Sequence, residues 1–195
     1  MKNRYYALKI AGICVFLFIL QNIIPFINNN FILVSARVLQ EPWMLITSIF
    51  LHGDIVHLLN NMFALALFGS ILEHIIGSKK LLQLYFIGGV VASVSAVFMY
   101  NAALGASGAI FSLLGALVAL RPTMTVWVSY FPMPMFLAGI VWAVIDLFRL
   151  FLPTGIASLA HLSGLAFGLA FGFYFRNNFK EDKSNKHRIV EHWHR

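Results

Sequence analysis

Six apolar segments follow one another along this 195-residue chain, and the fourth, Ser107 to Leu120, is too short to match the rest. The others run Leu8 to Ile27, Ile55 to Ile76, Lys80 to Tyr100, Met133 to Leu152 and Gly155 to Phe175. Arg121-Pro122 stops the fourth, because proline has no N–H for the next helical bond and disfavours helix at the residue before it. That leaves about 14 helical residues, roughly 21 Å at 1.5 Å each, against a hydrocarbon core of about 30 Å. With its lower end at one membrane face, Ser107 begins roughly 9 Å below the other. A hydroxyl at that depth, on the positive end of a helix dipole, is what the rest of the chain has to explain.

Hydrophobic residues make up 60% of the chain and charged residues only 11%. Soluble domains carry about 25% charged residues, so the chain reads as a polytopic, all-α membrane protein rather than a soluble one. Its expected architecture is a six-transmembrane-helix bundle with a short fourth helix. Residues 1–175 form the membrane domain, and residues 176–195 form a polar, basic cytoplasmic tail. The stretch Asn28 to Asp54 exceeds what a turn requires and carries Phe31, Ile32, Trp43, Ile46, Ile49, Phe50 and Leu51. It reads as a first loop lying in the membrane interface. Lys2 and Arg4 before the first apolar run imitate a signal peptide, with Val34-Ser35-Ala36 as a cleavage site, but the later spans favour an uncleaved anchor.

The formal charge of +7 does not imply a nucleic-acid partner, because placement decides. If six spans alternate, Lys2, Arg4, Lys9, Lys79, Lys80, Arg121, Arg176, Lys180, Lys183, Lys186, Arg188 and Arg195 fall on one side, and only Arg37 and Arg149 on the other. Twelve against two puts both termini in the cytoplasm. The expected setting is an integral membrane protein of a prokaryotic plasma membrane, in contact with the lipid bilayer. Cys14 is the single cysteine, so no disulfide forms within the chain.

In that orientation His161 lies about six residues, or roughly 9 Å, into the sixth span, level with Ser107. A serine hydroxyl is a poor nucleophile until a base takes its proton, and neutral imidazole is the usual base. Ser107 and His161 therefore form a candidate dyad with no obvious third member. Asp146 on span five is the nearest candidate for a third, but it is read instead as a local polar partner near the outer end, for Arg149. An ionisable residue inside a span is by default a functional candidate, which singles out His161. Gly164, Gly168 and Gly172 form a stripe that packs span six against span four. His57 and Asn61 are four apart and share a face, so with the Ser107 N–H they can donate to an oxyanion. Asn60 points elsewhere. His52, His57 and His161 as a zinc triad lack an accompanying motif such as H-E-x-x-H, so neither metal nor cofactor is expected. Glu73, ahead of Gly77-Ser78, reads as a buried acid tying down a tight turn on the opposite side of the membrane. The tail histidines His187, His192 and His194 read as solvated. A small transporter would want pathway carboxylates or repeat symmetry, and neither is evident.

Gly105-Ala106-Ser107-Gly108, His52 and His57 with Asn61, Glu73-His74-Ile75-Ile76-Gly77-Ser78, and Ala160-His161-Leu162-Ser163-Gly164 with Gly168 occur in order on the six spans. In this the chain resembles the rhomboid intramembrane serine proteases over roughly residues 5 to 175. The resemblance implies a rhomboid-like bundle with a membrane-inserted first loop and a Ser107–His161 dyad. His57 and Asn61 would help to stabilise the oxyanion, with His52, Gly105, Gly108, Phe111, Gly164 and Gly168 in support. It implies hydrolysis of peptide bonds in or near transmembrane segments of protein substrates, and makes span five and the Arg149 to Thr154 loop a substrate gate and cap. The alternative is an inactive rhomboid-like protein that binds or escorts membrane helices. Two positions depart from the family: Met44 follows Trp43 where arginine is common, and Phe111 stands where many members have tyrosine.

Overall fold

The structure, a computed structural model, describes residues 5–128, 131–152 and 155–176. The tail beyond Arg176 and Pro153-Thr154 of the proposed cap loop lie outside the described residues. Four helices are long and apolar enough to cross a membrane: α1 (Tyr6–Ile23), the continuous helix Ile55–Ile76, α6 (Ser78–Val97) and α9 (Ser158–Arg176). The second is built from α4 (Ile55–Ala64), a π-helical turn over Leu65–Gly69 and α5 (Ser70–Ile76). Two further helices are shorter: α7 (Ser107–Leu120) and α8 (Met135–Arg149).

The first span ends sooner than the apolar run does. Ile24 is extended (φ −117°, ψ 95°) and Pro25 occupies the first turn of α2 (Pro25–Phe31), so the chain bends at Ile24 instead of continuing to Ile27. Proline is pre-set for a helix start and excludes helix at the residue before it.

The first loop is built, not free. After α2 it forms β1 (Leu33–Val34), a short 3₁₀ turn at Ser35–Arg37, and α3 (Met44–Thr47). β1 pairs antiparallel with β2 (Ala102–Ala103), just ahead of Ser107. Ser35 N–H donates to the Asn101 carbonyl at 2.9 Å, and Gly105 N–H donates to the Ser48 carbonyl at 3.0 Å. Phe26, Leu39, Trp43 and Ile46 remain exposed, as expected of a segment resting in apolar surroundings. Met44, next to Trp43, is fully buried, and Arg37 does the polar anchoring of the loop. Its guanidinium donates to the Asn29 carbonyl at 2.8 Å and to Glu41 at 2.6 Å.

A second ribbon, β3 (Thr125–Val128) with β4 (Phe131–Pro134), joins α7 to α8. With this ribbon the fold is mainly rather than wholly helical, against the all-α expectation.

Helix α7 runs through the middle of the bundle, with ten of its fourteen residues buried. Helix α9 crosses it along small residues. A Cβ at Gly164 would run into the Gly108 carbonyl, one at Gly168 into the Ser112 carbonyl, and one at Gly172 against Ala116 and Ala119. Glycine alone allows that approach.

At the opposite end Glu73, buried, closes three elements together. Its carboxylate accepts from the N–H groups of Tyr6 (3.0 Å) and Ala7 (3.1 Å) and from the Ser78 hydroxyl (2.6 Å). Gly77, at φ +81°, makes the turn between α5 and α6. Charged hydrogen bonds contribute about 1.5–3 kcal/mol, and abandoned buried donors add a penalty, so Glu73→Ala should destabilise the protein by about 2–3 kcal/mol. Unfolding followed in detergent micelles checks this; a loss under about 0.5 kcal/mol would remove Glu73 from the structural core.

Candidate active site

Ser107 opens α7 with no side-chain cap before it, so its first-turn N–H groups have no intrahelical partner and face the site at the positive end of the dipole. Gly105, two residues earlier, has φ +124°. A side chain there would also strike the His57 ring, since a Cβ would lie 2.7 Å from its Cε1. Glycine is required on both counts.

His161 lies in the first turn of α9, whose start is set by the Tyr100 hydroxyl accepting from the Leu159 N–H at 3.1 Å. Its Nε2 is 2.7 Å from Ser107 Oγ. Phe111 stacks flat on the imidazole, with ring centroids 4.4 Å apart and planes 7° apart. Phenylalanine at this position thus keeps the ring contact without offering a hydroxyl.

Nδ1 of His161 is 3.0 Å from Asp146 Oδ2. Reading Asp146 only as a partner for Arg149 therefore needs correction. The Arg149 guanidinium does approach it, at 3.7 Å, but Asp146 also accepts from the Ser158 hydroxyl at 3.0 Å and reaches His161 directly. The signal was present: Asp146 is the one acid in the fifth and sixth spans.

On the facing wall, Asp54 caps α4 by accepting from the His57 N–H at 2.8 Å. His57 and Asn61 then share the face of α4 turned to Gly105, with Asn61 Nδ2 3.7 Å from the position of a Gly105 Cβ. Asn60 is exposed. Asn61 is only 6% exposed, and its Nδ2 finds no hydrogen-bond partner among the described residues. His52 packs edge-on against His57, ring centroids 5.2 Å apart. Gln21 grips the His52 backbone from both sides, donating to its carbonyl at 2.5 Å and accepting from its N–H at 3.1 Å. Burial first, and His57 second, push the His52 pKa down to about 4, against the weaker pull of the Phe50 carbonyl and Asp54. His52 is thus neutral at pH 7.

Beside Ser107 lies a cavity of about 30 Å³, lined by Ser48, Ser93, Gly105, Gly108 and Ala160 among others. It has room for a water molecule and several polar groups to hold one. The site therefore brings together a hydroxyl, an imidazole in hydrogen-bond reach of it, idle donors and space for water. Gly164 and Gly168 contribute by packing α9 on α7, whereas Glu73 and Gly77 lie at the far end of the bundle.

A family model described as "Rhomboid domain" matches residues 39–178 of this chain. "RHOMBOID-like protein 6, mitochondrial" from Arabidopsis thaliana is 34% identical over 136 residues, covering 69% of this chain and 44% of the relative. "Rhomboid-like protease 2" from Toxoplasma gondii is 32% identical over 144 residues, 71% of this chain and 49% of the relative. "Rhomboid protein 1, mitochondrial" from Saccharomyces cerevisiae is 27% identical over 206 residues, 98% of this chain and 59% of the relative. In each case this chain spans less than two thirds of the relative's length. The chain belongs to the rhomboid family.

Proposed function

We propose that this rhomboid is an intramembrane serine protease that cleaves peptide bonds in or near the transmembrane segments of other proteins. The observation that carries the reading is the 2.7 Å contact between Ser107 Oγ and His161 Nε2 at the open start of α7. Ser107 attacks the scissile carbonyl carbon while its proton passes to His161 Nε2. The tetrahedral oxyanion is met by the Ser107 N–H, Asn61 and His57. As the C–N bond breaks, His161 returns the proton to the leaving amine, and an acyl ester remains on Ser107. Water, deprotonated by His161, hydrolyses the ester and restores the serine.

The membrane reading extends to six spans, with α7 and α8 as the two short ones, residues 1–175 as one domain and 176–195 as a tail. The basic residues place both termini on one side, the cytoplasmic side in the expected orientation, with the Ser107 end of α7 on the other. The relatives named above are eukaryotic and two carry mitochondrial names, which gives the prokaryotic plasma membrane no support. The charge asymmetry orients the chain in either setting. Substrate helices hide their carbonyls in hydrogen bonds, so segments weakened by glycine near their outer end should be preferred.

The test is a serine-directed fluorophosphonate applied to the folded protein in detergent. An adduct is expected on wild type and absent from Ser107→Ala. A folded wild type that neither labels nor cleaves a transmembrane substrate overturns the protease reading and leaves a protein that binds or escorts membrane helices.

A further inference from the structure

Helix α8 buries Met135, Ala138, Gly139 and then only Asp146, while Ile140, Val144, Ile145, Leu147 and Phe148 are exposed. Trp142 and Ala143 lean on the core from its outer half, but the one fully buried residue there is a carboxylate, 1% exposed. A carboxylate withdrawn from water is unfavourable unless donors replace the lost hydration. Here the donors are the Ser158 hydroxyl, the His161 ring and, at longer range, Arg149.

That arrangement has a consequence for His161. With the Asp146 carboxylate as the acceptor in this contact, the ring proton sits on Nδ1 and the Nε2 lone pair faces the Ser107 hydroxyl. This is the tautomer a general base needs. Phe111 fixes the plane of the imidazole by stacking, but has no polar atom to choose which nitrogen points where. His57 lies on the α4 side and makes no hydrogen bond to the His161 ring among the described residues. Asp146 is the group that makes the choice.

We propose that Asp146 is a positioning residue that holds His161 in its Nδ1–H tautomer, so that α7, α9 and α8 together supply a Ser107–His161–Asp146 triad. The inference rests on the protease reading. It also ties the chemistry to α8: moving the outer half of that helix away withdraws the carboxylate from the base.

Asp146→Asn keeps the shape and can still accept from Ser158, but its amide nitrogen donates toward Nδ1 and drives the proton to Nε2. The expected result is a kcat at least about 100-fold lower, with KM and melting temperature little changed, as in soluble triads where the wrong tautomer disables the base. In protein with ¹⁵N-labelled histidine rings, the His161 signal, identified by its loss in His161→Gln, should change from Nδ1–H to Nε2–H. Ser158→Ala loosens the α8–α9 contact without touching the imidazole. It should keep the wild-type tautomer and stay within about fivefold of wild-type kcat, well short of the loss from a wrong tautomer.

If Asp146 merely fastens α8 to α9, the two variants will lose stability together and leave the tautomer alone. Wild-type His161 found as Nε2–H, or Asp146→Asn with unchanged kcat, overturns the inference while phosphonate labelling of Ser107 in the same sample keeps the protease reading. Wild type that fails to label overturns both.

Discussion

Ser107→Ala should reduce turnover of a transmembrane substrate by at least about 10⁴-fold, and His161→Ala should do the same. The two side chains act as one unit across the 2.7 Å contact. Without the imidazole, the Ser107 hydroxyl keeps its proton at neutral pH; without the hydroxyl, His161 has nothing to activate. The double variant should therefore be no worse than either single one, because effects within a catalytic unit do not add. Initial rates of cleavage in liposomes, with the melting temperature as a control for folding, test all three proteins. Neither change should unfold the molecule, since the start of α9 is held by Tyr100 and Ser158 and not by the pair itself. A His161→Ala protein within tenfold of wild type would mean that another group removes the proton.

Why Ser107 and His161 can be paired from the sequence, while Asp146 can be named there but not placed against His161, follows from what each inference needs. Placing Ser107 and His161 on one level takes only a rise per residue and the stop at Arg121-Pro122. Helix α7 has the expected ends at Ser107 and Leu120, and the second span those at Ile55 and Ile76. Gly164, Gly168 and Gly172 likewise announce a close crossing through their spacing alone. Asp146 has to be placed by the rotation of α8 about its axis, a tertiary quantity with no local signature. Its nearest sequence partner, Arg149, is real but at 3.7 Å is the longest of its polar contacts. The strand pair Leu33–Val34 with Ala102–Ala103 is two residues long, so it has no periodicity to detect. Thr125–Val128 stands close to Pro122, Pro132 and Pro134, which marks an end of helix without announcing a hairpin. The sequence shows Arg37 only as a charge that bears on topology, and its contacts with Asn29 and Glu41 arise only in the folded loop.

Asn61→Ala should separate a catalytic donor from a structural one, because the two roles predict opposite changes in stability. A buried helix–helix hydrogen bond, once deleted, lowers stability by about 0.5–1.5 kcal/mol. Asn61 Nδ2 has no partner among the described residues, and an unsatisfied buried donor is itself unfavourable by about 1–3 kcal/mol. Removing it should leave the melting temperature unchanged or higher. Activity should fall all the same, by about 100- to 1000-fold in kcat with KM little affected, as when one oxyanion donor is lost. His57→Ala should lower kcat in the same sense. It should act less than additively with Asn61→Ala, since both donors meet one oxygen. Steady-state kinetics beside thermal unfolding decide the matter. A variant less stable and fully active would make Asn61 a packing residue and leave the oxyanion to the first N–H groups of α7. A variant at least as stable but slow would show that the bundle tolerates an idle buried amide because the transition state supplies its missing acceptor.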